Sequence, residues 1–319
     1  MTEVSEVPAG NEPHMVQFNR TAMWVSLALA LALVAAVLGG AKVFFDRVAR
    51  QPVPLATLPS PMADSAECAA LLGALPERLA GHARAELADP APAGAAAWQS
   101  SSAERITLRC GVDAPLQYNE YTPTFEAAGA RWMRIDDSTP GSTMSTWYTV
   151  DRAPVVAVTS DDAAVGGREF ARDLGSLPIG DLPQEEVPPA PAPLSELAAG
   201  PRAGCDALMS ELPASIAEGF SPIDATEPLT AVWVKEGKEP IVVRCGVADP
   251  ENYEAGIQLY QINEVTWFED TTLANGTTSS TWFALGRDAV VAASLPQAEG
   301  NEAVTALSEA IARSVPETS

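Results

Sequence analysis

The sequence predicts an α+β protein in which one N-terminal transmembrane helix is followed by two homologous domains. Three observations predict this class. A long apolar run lies near the N-terminus, the two halves of the remaining chain share one register, and each half carries one pair of cysteines. Strand and helix patterns within each half predict an antiparallel sheet of about four or five strands with flanking helices.

The apolar run extends from Ala22 to Ala41, and Ser26 is its only polar side chain. At about 1.5 Å rise per residue, roughly 20 residues cross a hydrocarbon core of about 30 Å. We therefore predict a transmembrane signal anchor over 21–45, preceded by a cytoplasmic tail over 1–20. A cleaved secretory signal peptide is the alternative, although its apolar region usually has only about 7–15 residues.

Two observations bear on the membrane orientation, and they disagree. Lys42, Arg47 and Arg50 follow the span whereas Arg20 precedes it, which favours a cytoplasmic C-terminus by the positive-inside rule. The cysteines favour the opposite orientation, because pairs without CxxC spacing are typical of disulfides in an oxidising compartment. We expect a single-pass protein of the cell membrane with the bulk of the chain outside.

The chain is strongly acidic, with 42 Asp plus Glu against 19 Lys plus Arg and a formal net charge of -23. Nucleic-acid binding relies on clusters of Lys and Arg that release counterions from phosphates, and the sequence has no such cluster. The composition therefore excludes a nucleic-acid-binding protein.

The strongest signal is an internal duplication, without a gap over roughly 60 residues. A shift of 135 positions turns Trp98 into Trp233 and the motif Arg109-Cys110-Gly111-Val112 into Arg244-Cys245-Gly246-Val247. We predict the first domain over 64–177 and the second over 204–319. Proline-rich linkers are predicted over 46–63 and 178–203, where they act as semi-rigid spacers.

Each domain is predicted to open with a short helix that carries its first cysteine. In the first domain the apolar residues of this helix follow helical spacing, namely Cys68, Leu71, Leu72, Leu75 and then Leu79. His82 is expected in the same helix as a solvated side chain. Pro76 and Pro213 limit the length of the two helices.

A strand follows in which Ile106, Leu108 and Cys110 alternate with polar residues, so that the cysteine faces the core. We expect one helix-to-strand disulfide in each domain, Cys68 with Cys110 and Cys205 with Cys245. Further strands are predicted over 132–135, 142–150, 154–159, 265–268 and 277–285, with Asn275-Gly276 as a hairpin turn. Closing helices are predicted over 167–177 and 301–315.

Together these residues resemble a known family. A Cys followed by a Leu-Pro step, a Trp before an Arg-Cys-Gly-Val strand, a central Trp, a Thr-Trp strand and an Arg before Val-Val-Ala are similar to the domain of unknown function 3515 family. The resemblance covers both units and implies a small membrane-anchored or secreted actinobacterial protein, without an established activity. The tandem duplication departs from the single unit that is usual in this family.

Six repeated side chains are the candidate binding residues, namely Arg109, Arg244, Trp147, Trp282, Arg152 and Arg287. In one interpretation they line a groove where Trp stacks on a sugar or peptide and Arg pairs with a carboxylate. In the alternative interpretation they are structural, with Trp in the core and Arg packed along it.

The sequence shows no catalytic constellation. Its two histidines are His14 and His82, and neither has the partners of a nucleophile–base pair. The acidic pairs Asp136-Asp137 and Glu269-Asp270 lack the spacing of a calcium loop. We predict no metal site, no cofactor and no enzymatic activity.

These observations favour a non-enzymatic extracytoplasmic protein of the cell envelope, which acts as an interaction module or as an accessory subunit of a membrane complex. A module that binds cell-wall glycan or peptide is the second hypothesis, and an unrecognised envelope hydrolase is the third. The expected partner is a cell-envelope protein or membrane complex, or else a cell-wall polymer.

Overall fold

The computed structural model describes residues 20–49, 51–101, 103–165, 170–254, 256–274 and 276–318. The chain forms two compact units, Met1–Ala49 and Arg50–Ser319. The described part of the first unit is one helix, α1, over Arg20–Ala49. Its segment Arg20–Phe44 has a mean hydropathy of 2.3, and no part of its most apolar stretch is buried. The segment is therefore a candidate membrane span.

The second unit holds two antiparallel sheets, one from each repeat. The first sheet has eight strands in the order β1-β2-β3-β4-β8-β7-β6-β5. These strands are β1 (Arg78–Leu79), β2 (His82–Ala85), β3 (Ala95–Gln99), β4 (Arg105–Cys110), β5 (Thr124–Ala127), β6 (Ala130–Asp136), β7 (Ser145–Thr149) and β8 (Val156–Ser160).

The second sheet has seven strands in the order β12-β13-β14-β15-β11-β10-β9. These strands are β9 (Ser221–Ile223), β10 (Thr230–Val234), β11 (Ile241–Val247), β12 (Tyr260–Ile262), β13 (Val265–Asp270), β14 (Ser279–Leu285) and β15 (Val290–Pro296). The order matches that of β2 to β8, and in both sheets the Arg-Cys-Gly-Val strand pairs with the last strand of its repeat. The α+β class and the duplication are confirmed, while the sheets have more strands than the predicted four or five.

The inner face of each sheet is covered by helices. In the first repeat these are α2 (Ala66–Ala74), α3 (Asp162–Val165) and α4 (Ala171–Leu174), and in the second they are α5 (Cys205–Glu211) and α6 (Gly300–Ser314). Ser65 caps the N-terminus of helix α2, and its Oγ accepts a hydrogen bond from the Cys68 backbone N–H at 3.1 Å. Helix α6 confirms the closing helix predicted over 301–315. The one predicted over 167–177 is confirmed only over Ala171–Leu174, and residues 166–169 lie outside the described part of the chain.

The prediction of the first helix is wrong beyond Ala74. Leu79 and His82 lie in the β1–β2 hairpin and pair with each other. Ala80 and Gly81, with φ of 51° and 94°, form the two-residue turn between them, as in type I′ hairpins. This hairpin follows Pro76, which prevents the helix from continuing. It adds two strands in a stretch where the apolar spacing had predicted a helix.

The connection of β13 to β14 also differs from the sequence expectation. The two strands are antiparallel, as predicted, but a short 3₁₀ helix over Thr271–Ala274 lies between them. Asn275 of the predicted turn lies outside the described residues. Gly276 adopts a φ of 82°, which suits a glycine in a turn.

Candidate functional site

The four cysteines form the two predicted disulfides, Cys68–Cys110 and Cys205–Cys245. Each links the opening helix of its repeat to the central strand, and all four side chains are buried. Both pairings are therefore confirmed. They lie on the inner face of each sheet, so the arginine that precedes each strand cysteine lies on the outer face.

Arg109 and Arg244 hold the proline-rich residues that precede their own repeats. We call these residues the first leader segment (51–63) and the second leader segment (190–202). Arg109 donates from Nη2 to the Ala56 carbonyl at 2.6 Å. Arg244 donates from Nη1 to the carbonyls of Leu194, Ser195 and Leu197 at 2.8, 3.1 and 3.2 Å. In both repeats the outer sheet face thus binds a piece of the chain itself, which forms turns around Arg244 in the second repeat.

The glycine of the Arg-Cys-Gly-Val motif lets the leader segment approach. Gly111 and Gly246 have φ of 81° and 78°, where a side chain is strained. The Gly111 carbonyl accepts from the Met62 N–H at 3.2 Å, and the Gly246 carbonyl accepts from the Gly200 N–H at 2.8 Å. A Cβ on Gly111 would lie 2.3 Å from the Met62 carbonyl carbon. The Arg-Cys-Gly-Val motif is therefore explained by its contacts with the leader segments, because its arginine bonds the segment and its glycine leaves room for it.

Arg152 and Arg287 are buried, at 7% and 8% exposure, and they do not line an open groove. Arg152 donates from Nη2 to the Gly129 carbonyl, and Arg287 donates to the Glu264 carbonyl at 2.5 Å. Gly129 and Glu264 are themselves 135 positions apart and lie in the turns that precede β6 and β13. The repeated arginine thus fixes a repeated hairpin turn.

The two candidate tryptophans differ in exposure. Trp147 is 6% exposed and packs on Phe170 with ring centroids 4.7 Å apart. Trp282 is half-buried, packs on Tyr260 at 5.2 Å and donates from Nε1 to Ser280 Oγ at 3.1 Å. Of the two rings, only that of Trp282 reaches the surface.

His82 is buried, which corrects the expectation of a solvated side chain. Its Nδ1 lies 2.8 Å from Ser100 Oγ and its Nε2 lies 2.5 Å from the Ala164 carbonyl. The reason is the β1–β2 hairpin, which turns the ring towards the core. Both ring nitrogens are used by the protein itself.

Tyr148 and Arg109 share the outer face of the first sheet, because both pair with Ala157 of the strand between them. Burial raises the pKa of the Tyr148 hydroxyl above 10.0, and the positive charge of Arg109 opposes this rise. Burial also lowers the pKa of Arg109 below its usual value. An arginine nevertheless stays charged at any physiological pH.

Acidic side chains form no metal site in the described ranges, where no group of three His, Cys, Asp or Glu could hold an ion. Asp136 accepts from Arg134 Nε at 2.6 Å and from Ser145 Oγ at 2.7 Å. Asp270 accepts from Asn252 Nδ2 at 2.8 Å and from Thr272. These carboxylates order their own loops.

No sequence pattern indicated the contact between the two repeats. The first-repeat loop over 116–122 lies on the outer face of the second sheet, where Tyr121 is buried with Phe268 and Phe283. The Tyr121 hydroxyl lies 3.1 Å from Thr226 Oγ1. Aromatic residues in an irregular loop have no periodicity, so only the packed structure shows their role.

A cavity of about 220 Å³ lies beside this contact. Its walls come from the first-repeat loop, from the second leader segment and from the outer face and turns of the second repeat. Representative lining residues are Leu116, Asn119, Leu194, Glu239, Leu273 and Thr281. Glu239 occupies the same register as Glu104 of the first repeat.

Comparison with known families agrees with the repeated scaffold. A model of the family described as "Protein of unknown function (DUF3515)" matches residues 27–187 and again residues 179–319. The chain belongs to the DUF3515 family. The resemblance and its presence as two tandem units are thus confirmed. No curated protein matches the sequence.

The two DUF3515 matches overlap over residues 179–187, and the structure explains why these residues belong to the first repeat. Ile179 and Leu182 pack in the inner core of the first repeat, and Val187 packs on its outer face against Tyr118 and Met133. By Leu194 the chain has reached the outer face of the second sheet. One DUF3515 unit therefore ends and the next begins within a few residues.

Proposed function

We propose that this DUF3515 protein is a non-enzymatic, single-pass membrane protein whose two repeats lie outside the cell and dock on a protein partner in the envelope. It acts there as an interaction module, in the manner of an accessory subunit of a membrane complex. The candidate span supports the anchor, and two disulfides support an oxidising compartment.

The observation that carries the proposal is an apolar rim around the cavity between the repeats. Leu116, Leu273 and Tyr253 are 54%, 37% and 43% exposed. Leu116 and Leu273 both line the cavity, and Tyr253 packs on Phe268 of the outer face of the second sheet, with ring centroids 5.6 Å apart. Apolar side chains grouped around a concave surface are typical of protein interfaces, whereas single exposed leucines are common on any surface.

The repeated polar residues support the same interpretation indirectly. Arg109, Arg244, Arg152 and Arg287 each bond a backbone carbonyl of their own chain. Repetition of these side chains is therefore accounted for by the scaffold. The surface offered to a partner differs between the repeats, which fits one composite docking site.

The test is purification of the tagged full-length protein from its native membranes in mild detergent, with identification of proteins retained at stoichiometric amounts. We expect one membrane protein or complex with the wild type and its loss with the double variant Leu116→Asp/Leu273→Asp. Leu58→Asp is the matched control, because Leu58 is 55% exposed on the first leader segment, away from the rim. Recovery of the wild type alone, with or without prior cross-linking, would contradict the proposal.

Placement outside the cell has its own test. Intact mass of native protein should rise by four hydrogens on reduction, two for each disulfide. Free thiols at all four cysteines in freshly isolated material would overturn the extracytoplasmic assignment.

A module for cell-wall glycan or peptide is the second candidate, and the observation that favours it is the half-buried Trp282 with its neighbour Tyr260. An aromatic ring that reaches the surface can stack its face on a sugar ring. Wall fragments should then quench the tryptophan fluorescence of the wild type and leave that of Trp282→Phe unchanged. Equal quenching of both proteins would exclude this site.

A further inference from the structure

We propose that the cavity between the repeats receives an arginine side chain from an extended segment of the partner protein. This inference rests on the proposed docking role and specifies its chemistry. The carboxylate of Glu239 is the group that would bind the guanidinium, and the apolar rim would contact residues on either side of the arginine.

The size of the cavity favours an anchor side chain over a whole small molecule. Sites for drug-sized ligands enclose about 300–1,000 Å³. The cavity has about 220 Å³, which is below that range. Arginine, with tyrosine and tryptophan, is the side chain most often found as the energetic anchor of an interface.

The charge of the lining selects a cation. The described residues that line the cavity include the carboxylates of Glu196 and Glu239 but neither Lys nor Arg. Glu239 accepts from the Thr278 N–H and Oγ1, both at 2.9 Å, and from Ser279 Oγ. All three donors are neutral, so they orient the carboxylate without cancelling its charge.

Two nearby cations are already bonded within the protein and do not pair with Glu239. Lys238 Nζ lies 3.7 Å from Glu299 Oε1. Arg244 is held by three carbonyls of the second leader segment. The net charge of -23 adds a long-range field that attracts a basic segment.

The apolar lining distinguishes arginine from a compact ammonium group. Leu116, Leu194 and Leu273 line the cavity and can cover the methylene stem of the side chain. The planar guanidinium is more weakly hydrated than an ammonium and binds a carboxylate through two parallel hydrogen bonds. A partner arginine is therefore a better match than a lysine.

The direct test uses acetyl-Leu-Arg-Leu-amide as the probe, with the full chain in detergent micelles and saturation-transfer NMR as the readout. The uncharged control probe carries citrulline in place of arginine. We expect a Kd about tenfold weaker for the citrulline probe, since a rim or partly buried charge pair contributes of that order. We expect the same tenfold loss for the arginine probe with Glu239→Gln.

Two further variants make the result specific. Glu104→Gln changes the residue in the same register of the first repeat, outside the cavity, and should leave the Kd unchanged. Leu116→Ser alters an exposed wall residue without touching the Glu239 hydrogen bonds and should weaken binding as well. Equal affinity for both probes, or equal loss with Glu104→Gln, would overturn the proposal, as would absence of saturation transfer.

A membrane purification with Glu239→Lys and Glu104→Lys separates this inference from the proposed function, because both variants change the net charge equally. Loss of the partner with Glu239→Lys but not with Glu104→Lys supports both the arginine pocket and the docking role. Retention of the partner by both variants overturns the arginine pocket and leaves the docking role intact. Probe binding without any recovered partner supports the pocket and counts against docking on a membrane complex.

Discussion

Arg109 and Arg244 occupy the same register, yet they make different numbers of hydrogen bonds to their leader segments. Arg109 bonds one carbonyl of the first leader segment, whereas Arg244 bonds three carbonyls of the second. A guanidinium has a fork of fixed donors, which suits several carbonyls that turn around one point. Comparison of the two repeats therefore measures how the number of these hydrogen bonds affects stability.

We expect Arg244→Met to lower the free energy of unfolding by about 2–4 kcal/mol and Arg109→Met by about 1–2 kcal/mol, because hydrogen bonds from charged groups each contribute about 1.5–3 kcal/mol before exposure is discounted. Urea denaturation of the two full-length variants measures this difference. Equal losses would show that the additional carbonyls of the second leader segment contribute nothing.

Tyr148 makes stability depend on alkaline pH. Its folded pKa lies above the usual 10.0, so its contribution to stability is present below about 10 and is lost as the pH rises through the raised value. The wild type should thus lose stability relative to Tyr148→Phe above pH 10. Arg109→Met should raise the Tyr148 pKa further, because a neighbouring positive charge is removed, and phenolate absorbance measures both effects.

The strands were predictable where one face is buried and the other is not. Ile106, Leu108 and Cys110 are all buried, and Thr107 and Arg109 between them are half-buried, as the alternation predicts. Helical spacing failed at Leu79, because the chain leaves helix α2 at Ala74 and Leu79 is buried as a residue of strand β1. The leader segments were not predictable, because their proline-rich sequence carries no period that marks a buried face.

The candidate site was predictable in its residues but not in their roles. Register identified Arg109, Arg244, Arg152 and Arg287, and each of them proved to bond its own backbone. The cavity depends on a contact between two distant loops and a leader segment. Such a juxtaposition has no signature within any single stretch of sequence.

Gly111 is expected to be intolerant of any side chain. Gly111→Ala should cost about 2–3 kcal/mol, because the new Cβ would displace the first leader segment and force a strained φ. Gly73→Ala is the matched control on the exposed face of helix α2, where nothing lies within 4 Å of a Cβ at this position, and it should stabilise the protein by about 0.5–1 kcal/mol. Thermal denaturation of the two variants measures whether their changes in stability have opposite signs.

Contact between the repeats makes Arg50–Ser319 one unit. Tyr121 is the central side chain of this contact, at 5% exposure. Main-chain contact adds to it, since the Asp136 N–H donates to the Gly237 carbonyl at 2.8 Å. The two repeats should therefore unfold together.

Tyr121→Ala should uncouple them. Truncation of a buried aromatic ring costs about 3–5 kcal/mol, and here the loss falls on the junction. Calorimetry should show one transition for the wild type and two for the variant. Tyr121→Phe keeps the ring, loses only the contact to Thr226 and should retain a single transition about 1 kcal/mol less stable.

The first leader segment also determines how the protein can be cut. Gln51 accepts from Gln99 Nε2 at 2.6 Å, Val53 is fully buried, and the Val53 N–H and carbonyl bond Glu86 and Ala88. A protease needs a free extended stretch in its cleft, and here Val53 is already paired with the segment that follows β2. Cleavage within residues 51–53 therefore requires local unfolding first, so its rate reports the opening of the first leader segment.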